Sequence, residues 1–308
     1  MPRLPEDLPE LLERVRAETA GSVGTGKVAD YIPALASVPA DRFGLAVATV
    51  DGQLHGVGDW RERFSIQSIS KVFGLALTLG LDGDRLWQRV GREPSGDPFN
   101  SLVQLELEHG IPRNPFINAG ALVVTDRLLS VTGDPVGAVL ALLRGEVGDD
   151  GFGVDPLVAE SEAAHGDLNA ALGYFMSAHG NMDNPIRIVL DHYFRQCAIA
   201  MSCGELAQAA LFLARHGTLR DERRLLSEVQ AKRINAIMLT CGAYDAAGEF
   251  AYRVGLPGKS GVGGGILAVV PRLCTVCVWS PGLDDQGNSI AGVAALERFA
   301  QLTGSSVF

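Results

Sequence analysis

Apolar positions recur at helical spacing near the start of the chain, at Leu8, Leu11, Leu12 and Val15, and predict a helix over residues 6–20. The period then changes. Residues 43–50 and 53–58 read as two strands, and the Asp51-Gly52 pair between them is a strong hairpin signal. Residues 64–77 return to a helical pattern, and Val72, Phe73, Leu75, Ala76 and Leu77 make it apolar almost all round, so this helix runs into a core. From Asp84 to about Met238 the chain is largely helical, with helices predicted at 120–132, 135–144, 157–178, 185–195, 203–216 and 226–238. Loops rich in Gly, Pro and Asn at 92–100, 110–120 and 179–185 interrupt them. Beyond Gly242 strands reappear at 249–255, 265–270 and 273–279, and Asn288-Ser289 can cap a last helix over 290–302.

Strands at both ends thus enclose a helical middle, which predicts an α+β protein. The simplest topology is one antiparallel sheet built from N- and C-terminal strands and covered by the first and last helices. Residues 1–82 plus 240–308 form a discontinuous sheet domain in this reading, and residues 83–239 form an inserted helical domain. A pocket between them would lie beside residue 68.

Composition narrows the function. The chain has 308 residues, 47% hydrophobic and 20% charged, as expected of a globular enzyme. With a net charge of −10, a pI near 5.1 and no basic run, it is not expected to bind nucleic acid. No apolar run reaches the ~18 residues of a membrane span. The first residues carry prolines and acids where a signal peptide has an apolar segment, so a cytoplasmic location is expected. The glycines before Lys27 lack a phosphate-loop pattern, since Val28 follows the lysine. Cys274 and Cys277 have metal-like spacing but no second pair; on a strand they face opposite sides, as buried small hydrophobes. No metal or organic cofactor is expected.

The candidate chemistry begins at Ser68-Ile-Ser-Lys71. Residues three apart on a helix share a face, and a lysine held neutral by burial can take a serine's proton. Ser-x-x-Lys alone is a weak signal, but lysine is scarce: Lys27, Lys71, Lys232 and Lys259 are all there are. Lys259-Ser-Gly261 follows in a glycine-rich stretch. A Ser-x-x-Lys with a later Lys-Thr/Ser-Gly is the motif order of serine β-lactamases and penicillin-binding proteins.

More specific motifs join these: Tyr31-Ile-Pro33, Gln67-Ser-Ile-Ser-Lys71, Glu93-Pro-Ser-Gly96, Asn114-Pro-Phe-Ile-Asn-Ala-Gly-Ala121 and Ser161-Glu162 with Asn169. Tyr193 with Cys197, Cys241-Gly-Ala-Tyr-Asp245, Gly255-Leu-Pro-Gly-Lys-Ser-Gly-Val262, Trp279-Ser-Pro281 and Gly287-Asn-Ser289 complete the set. Together they resemble the serine-dependent glutaminases over about residues 31–304. The resemblance implies a β-lactamase/transpeptidase-like fold and hydrolysis of L-glutamine to L-glutamate and ammonia. It implies Ser68 as nucleophile and Lys71 as its base, with Tyr193 and Tyr244 handling protons. Substrate contacts are implied for Tyr31, Gln67, Ser68, Asn118, Glu162, Asn169, Tyr193, Tyr244 and Val262, and a homodimer or homotetramer is implied as the assembly.

The residue types suit this independently. Glu162 can pair with an α-ammonium, and asparagine and tyrosine bind polar groups without adding charge. The backbone N–H groups of Ser68 and Val262 are the natural oxyanion donors. Lys259, if close to Lys71, would disfavour its protonation. Each has a plainer reading: Asn118 as a helix cap, Glu162 as a surface acid, the tyrosines as core residues, and Glu162 and Asn169 as neighbours on one helical face. Leu168 stands where the family pattern has arginine. The alternatives are another serine acyl-enzyme of the same fold, a β-lactamase or D-Ala-D-Ala peptidase, and a non-catalytic glutamine-binding protein.

Overall fold

The computed structural model describes residues 4–5, 7–95 and 101–308. Residues 96–100 of the predicted 92–100 loop, with Gly96 of its motif, lie outside the described residues. Eight strands occur among the described residues: β1 (Gly44–Thr49), β2 (Leu54–Gly58), β3 (Phe64–Ser65), β4 (Gly153–Val154), β5 (Ile199–Met201), β6 (Gly258–Ser260), β7 (Gly265–Val270) and β8 (Cys274–Trp279). Five make one antiparallel sheet in the order β2-β1-β8-β7-β6. The N-terminal hairpin therefore joins the C-terminal one through β1 and β8, in a register that pairs Gly44 with Trp279 and Thr49 with Cys274.

Both faces of this sheet are covered, so its central strands are buried throughout. Leu45 and Val47 point into a core made with Leu8, Leu12 and Val15 of the first helix, Leu8–Thr19, and Leu296 and Phe299 of the last, Ile290–Thr303. Ala46 and Ala48 point the other way, into a larger core that continues through the helical middle. The alternation of large and small side chains on β1 thus matches a thin layer on one face and close helix packing on the other. Cys274 and Cys277 fall in these two different cores, as a strand's period requires. Ser289 caps the last helix by accepting from the Gly292 N–H at 3.1 Å.

Four expectations change. Residues 249–255 are not a strand: 249–253 lie in the helix Ala247–Arg253, and 254–255 follow it. Ala247, Phe250 and Val254 are buried at helical spacing while Tyr252 is exposed, and the short apolar run fitted either period. The predicted 157–178 helix is two, Pro156–Ala164 and Asp167–Ala178, and the predicted 203–216 helix is Cys203–Ala209 and Leu211–Ala214. The first break falls at Gly166, where a Cβ would lie 2.3 Å from the Phe194 ring, so the chain bends around that ring. Finally, Ser68 precedes its helix. Phe64–Ser65 is a short strand, Gln67–Ile69 a 3₁₀ turn, and the α-helix is Ser70–Asp82.

That short strand matters for the site. β3 pairs with β5, which also pairs with β4, so a three-stranded ladder ties the segment before Ser68 to the helical middle. Among the described residues no single helix is long and apolar enough to cross a membrane.

Candidate active site

Ser68 is positioned by what comes before it. The Ile66 N–H donates to the Ile199 carbonyl at 2.9 Å, and Ser65 Oγ donates to the Cys197 carbonyl at 2.9 Å. The chain must then turn sharply, and Gln67 takes a left-handed φ of 50° to do so. Its Nε2 donates back to Ser65 Oγ at 2.9 Å. This strained turn sits immediately before the candidate nucleophile. In the tight turn Ser68 and Lys71 keep their three-residue spacing on one side of the helix start.

Lys71 is 5% exposed. Its Nζ donates to the Phe116 carbonyl at 3.1 Å and to Asn118 Oδ1 at 2.7 Å. Burial holds its ammonium down from 10.5 to about 8, against the opposing attraction of Cys197 and Glu162. At pH 7 roughly a tenth of the molecules then carry the free amine, against fewer than about one in a thousand for an exposed lysine.

A cleft of about 250 Å³ opens above this pair. Its lining includes Tyr31, Gln67, Ser68, Asn118, Glu162, Asn169, Tyr193 and Val262 from the sequence reading, and also Ile32, His165, Leu168 and Cys197. Asn118 opens the helix Asn118–Thr132; its Nδ2 donates to Asn169 Oδ1 at 2.9 Å, and Tyr193 OH donates to its Oδ1 at 3.3 Å. Glu162 and Asn169 reach the same cleft from two helices, not from one face of a single helix. Leu168 lines the wall beside Asn169, whose Oδ1 is held by Asn118. Tyr31 stands at the mouth, 55% exposed.

Glu162 is 8% exposed, and its Oε1 has no hydrogen-bond partner. Burial pushes its carboxyl up, with Gln67, Lys71 and His165 working the other way. A buried carboxylate oxygen without a donor is costly, and a cationic ligand group would satisfy it. This rules out the surface-acid reading of Glu162.

Tyr244 and Lys259 lie behind the cleft wall. Tyr244 has a φ of 55°, and its OH donates to the Ser260 carbonyl at 3.2 Å. Burial pushes its phenol up, while hydrogen bonds with Ser68 and the Val262 N–H counter that. Its oxygen is therefore next to the candidate nucleophile. Lys259, fully buried, lies within edge strand β6; its Nζ donates to the Gly242 carbonyl at 2.9 Å and the Ser260 carbonyl at 2.6 Å. The same nitrogen lies 4.4 Å from the centre of the Tyr244 ring.

Burial, and then the charge on Lys71, drive the Lys259 ammonium well below its usual range. The two lysines therefore sense each other's charge, and the effect falls on Lys259. Two carbonyls accept from its Nζ. The side chain thus braces the Tyr244 loop against β6.

His165 carries no chemical motif in the sequence and reaches the cleft only because the chain breaks there. Its Nδ1 lies 2.8 Å from the Ser161 carbonyl. The Phe116 carbonyl is a backbone group without any side-chain signal. Among the described residues no group of three or more His, Cys, Asp or Glu side chains is placed to hold a metal ion.

A family profile described as Glutaminase matches residues 26–308. A glutaminase of Streptomyces coelicolor is 66% identical over 298 residues, covering 97% of each chain. One of Paraburkholderia phytofirmans is 56% identical over 97% of this chain and 98% of its own. Among solved structures, the probable glutaminase ybaS superposes with a TM-score of 0.91 at 35% identity, covering 98% of each chain. A probable glutaminase from Bacillus subtilis, complexed with 6-diazo-5-oxo-L-norleucine, superposes with a TM-score of 0.84 at 31% identity over 98% of this chain and 96% of its own. The shared fold is the β-lactamase-like one that the motif order led us to expect. The match spans the sheet, the helical middle and every side chain of the cleft, and the chain belongs to the glutaminase family of hydrolases.

Proposed function

We propose that the protein hydrolyses the side-chain amide of L-glutamine through a serine acyl-enzyme. Ser68 Oγ attacks the amide carbon, and its proton passes to the neutral amine of Lys71. The backbone N–H groups of Ser68 and Val262 receive the oxyanion. Collapse breaks the C–N bond, and ammonia leaves with a proton returned from Lys71 by way of Tyr193 or Tyr244. Water then attacks the γ-glutamyl ester, giving glutamate and free Ser68. Glu162 pairs with the substrate's α-ammonium, while Asn118, Asn169, Gln67 and Tyr31 bind its remaining polar groups.

The observation that carries this reading is Lys71, a buried amine lowered to about 8 one turn from Ser68 at the foot of the cleft. The unpartnered oxygen of Glu162 adds the second requirement, a seat for a cation. The relative's complex with 6-diazo-5-oxo-L-norleucine, a diazoketone on an amino-acid chain, is consistent with a nucleophile in that protein's site.

Purified protein should release ammonia and glutamate from L-glutamine but not turn over a chromogenic cephalosporin, and Ser68→Ala should abolish the activity. The diazoketone should add covalently to the wild type at Ser68 and leave Ser68→Ala unlabelled. Labelling elsewhere, or turnover by Ser68→Ala near the wild-type rate, would refute the serine mechanism. A homodimer or homotetramer working in the cytoplasm completes the proposal, and light scattering on the purified protein tests the assembly.

A further inference from the structure

Both acceptors of the Lys71 amine come from one irregular turn, residues 114–118, which leads into the helix Asn118–Thr132. A turn outside regular structure must find partners for its backbone groups elsewhere. Asn114 supplies them. Its Oδ1 accepts from the Phe116 N–H at 3.0 Å and the Ile117 N–H at 3.1 Å, and its Nδ2 donates to the Glu93 carbonyl at 2.9 Å. Asn114 is 1% exposed and does not line the cleft. Its own carbonyl is pressed against the helix start, where a Cβ on Gly120 would lie 1.9 Å from it. The side chain's polar atoms are thus committed to backbone, and two of the bonds fix the residues flanking the Phe116 carbonyl.

We propose that Asn114 is a positioning residue for the lysine base: it clamps turn 114–118 so that Phe116 and Asn118 close over Lys71, exclude water from its amine and set how readily that amine loses its proton. This rests on the acyl-enzyme reading above. Other charged or titratable groups also bear on the amine. Glu162 approaches from the helix Pro156–Ala164, Tyr193 and Cys197 from the helix Ile186–Cys197, and Lys259 from β6. None of them bonds to Asn114, so a change made there acts through the turn.

The test is kcat/KM for L-glutamine from pH 6 to 10 in the wild type, Asn114→Ala and Asn114→Ser, with thermal melts to check folding. The wild type should lose activity below a midpoint of about 8. Loosening the turn hydrates Lys71, so Asn114→Ala should move the midpoint up by about one pH unit, a roughly tenfold loss at pH 7 that is recovered at pH 10. Serine keeps an oxygen for the two N–H groups, so Asn114→Ser should recover about half of the shift or more.

A merely structural role would lower kcat/KM by one factor at every pH and leave the midpoint in place, which would overturn the proposal. If Asn114→Ala does not fold, Asn114→Ser decides, since an unmoved midpoint there overturns the proposal equally. A wild-type profile with no ionisation between pH 7 and 9 would instead refute Lys71 as the base.

Discussion

Replacing Lys71 with methionine separates what the site needs from what the fold prefers. Methionine has similar length and no charge, so it tests the ammonium rather than the packing. The folded lysine is lowered by burial from 10.5 to about 8. The unfolded chain therefore binds more protons than the native one between those values, and wild-type stability must rise with pH across that window. Below the folded value the cost of burying the charge is fully present; above the unfolded value it is gone. Between pH 7 and pH 10 the native state should gain about 2.5 kcal/mol from this one group. Lys71→Met has no such group.

Urea unfolding of both proteins at pH 7 and pH 10, followed by circular dichroism, measures the difference. The charge on Lys71 also lowers the proton affinity of Lys259, so the same pair is compared in a Lys259→Met background, where only Lys71 differs. The expected result is that the variant loses about 2.5 kcal/mol relative to the wild type on going from pH 7 to pH 10, and that it is inactive at both. At pH 7 alone the variant's rank depends on a second effect, since the Phe116 carbonyl loses its donor. A stability difference independent of pH would refute the buried, proton-poor Lys71 on which the proposed chemistry depends.

Glu162→Gln removes the charge offered to the substrate's ammonium and should lower kcat/KM for glutamine by about 10- to 150-fold, mostly through KM; an unchanged KM in initial-rate assays would sink the assignment. Gly120→Ala forces a methyl against the Asn114 carbonyl at 1.9 Å. Backbone lies on both sides of that contact, so the clash outweighs alanine's helix preference, and a loss of about 1–3 kcal/mol in urea unfolding is expected with a fall in kcat. Lys259→Met should leave the midpoint of the pH–rate profile at about 8 while lowering kcat, because its amine braces the Tyr244 loop; a midpoint that moved upward would show instead that its charge repels a proton from Lys71.

The sequence was most legible where the signal is local. The Asp51-Gly52 hairpin, the Ser289 cap and the short apolar strands β7 and β8 follow from patterns only a few residues long, and all appear within a residue or two of expectation. Most residues that line the cleft had been named as well, because Gln67, Ser68, Asn118, Glu162, Asn169 and Tyr193 stand in motifs that resemble one family. The two-residue strands β3 and β4 were not legible, since so short a segment has no period. Nor was Lys259 as a brace: a lysine in a glycine-rich stretch gives no sign of which carbonyls will meet it.

What the sequence alone determined, then, is where the long periodic elements and marked turns fall and which side chains are candidates for chemistry, because φ/ψ preference, apolar spacing and motifs are properties of neighbouring residues. Tertiary structure decided the rest. It paired Gly44 with Trp279 across most of the chain, bent the backbone at Gly166 around the Phe194 ring, and made a helix of 247–253 by burying one side of it. It also set the proton affinity of Lys71, because the cost of a charge depends on how much water its surroundings exclude, and those surroundings come from segments far apart in the chain.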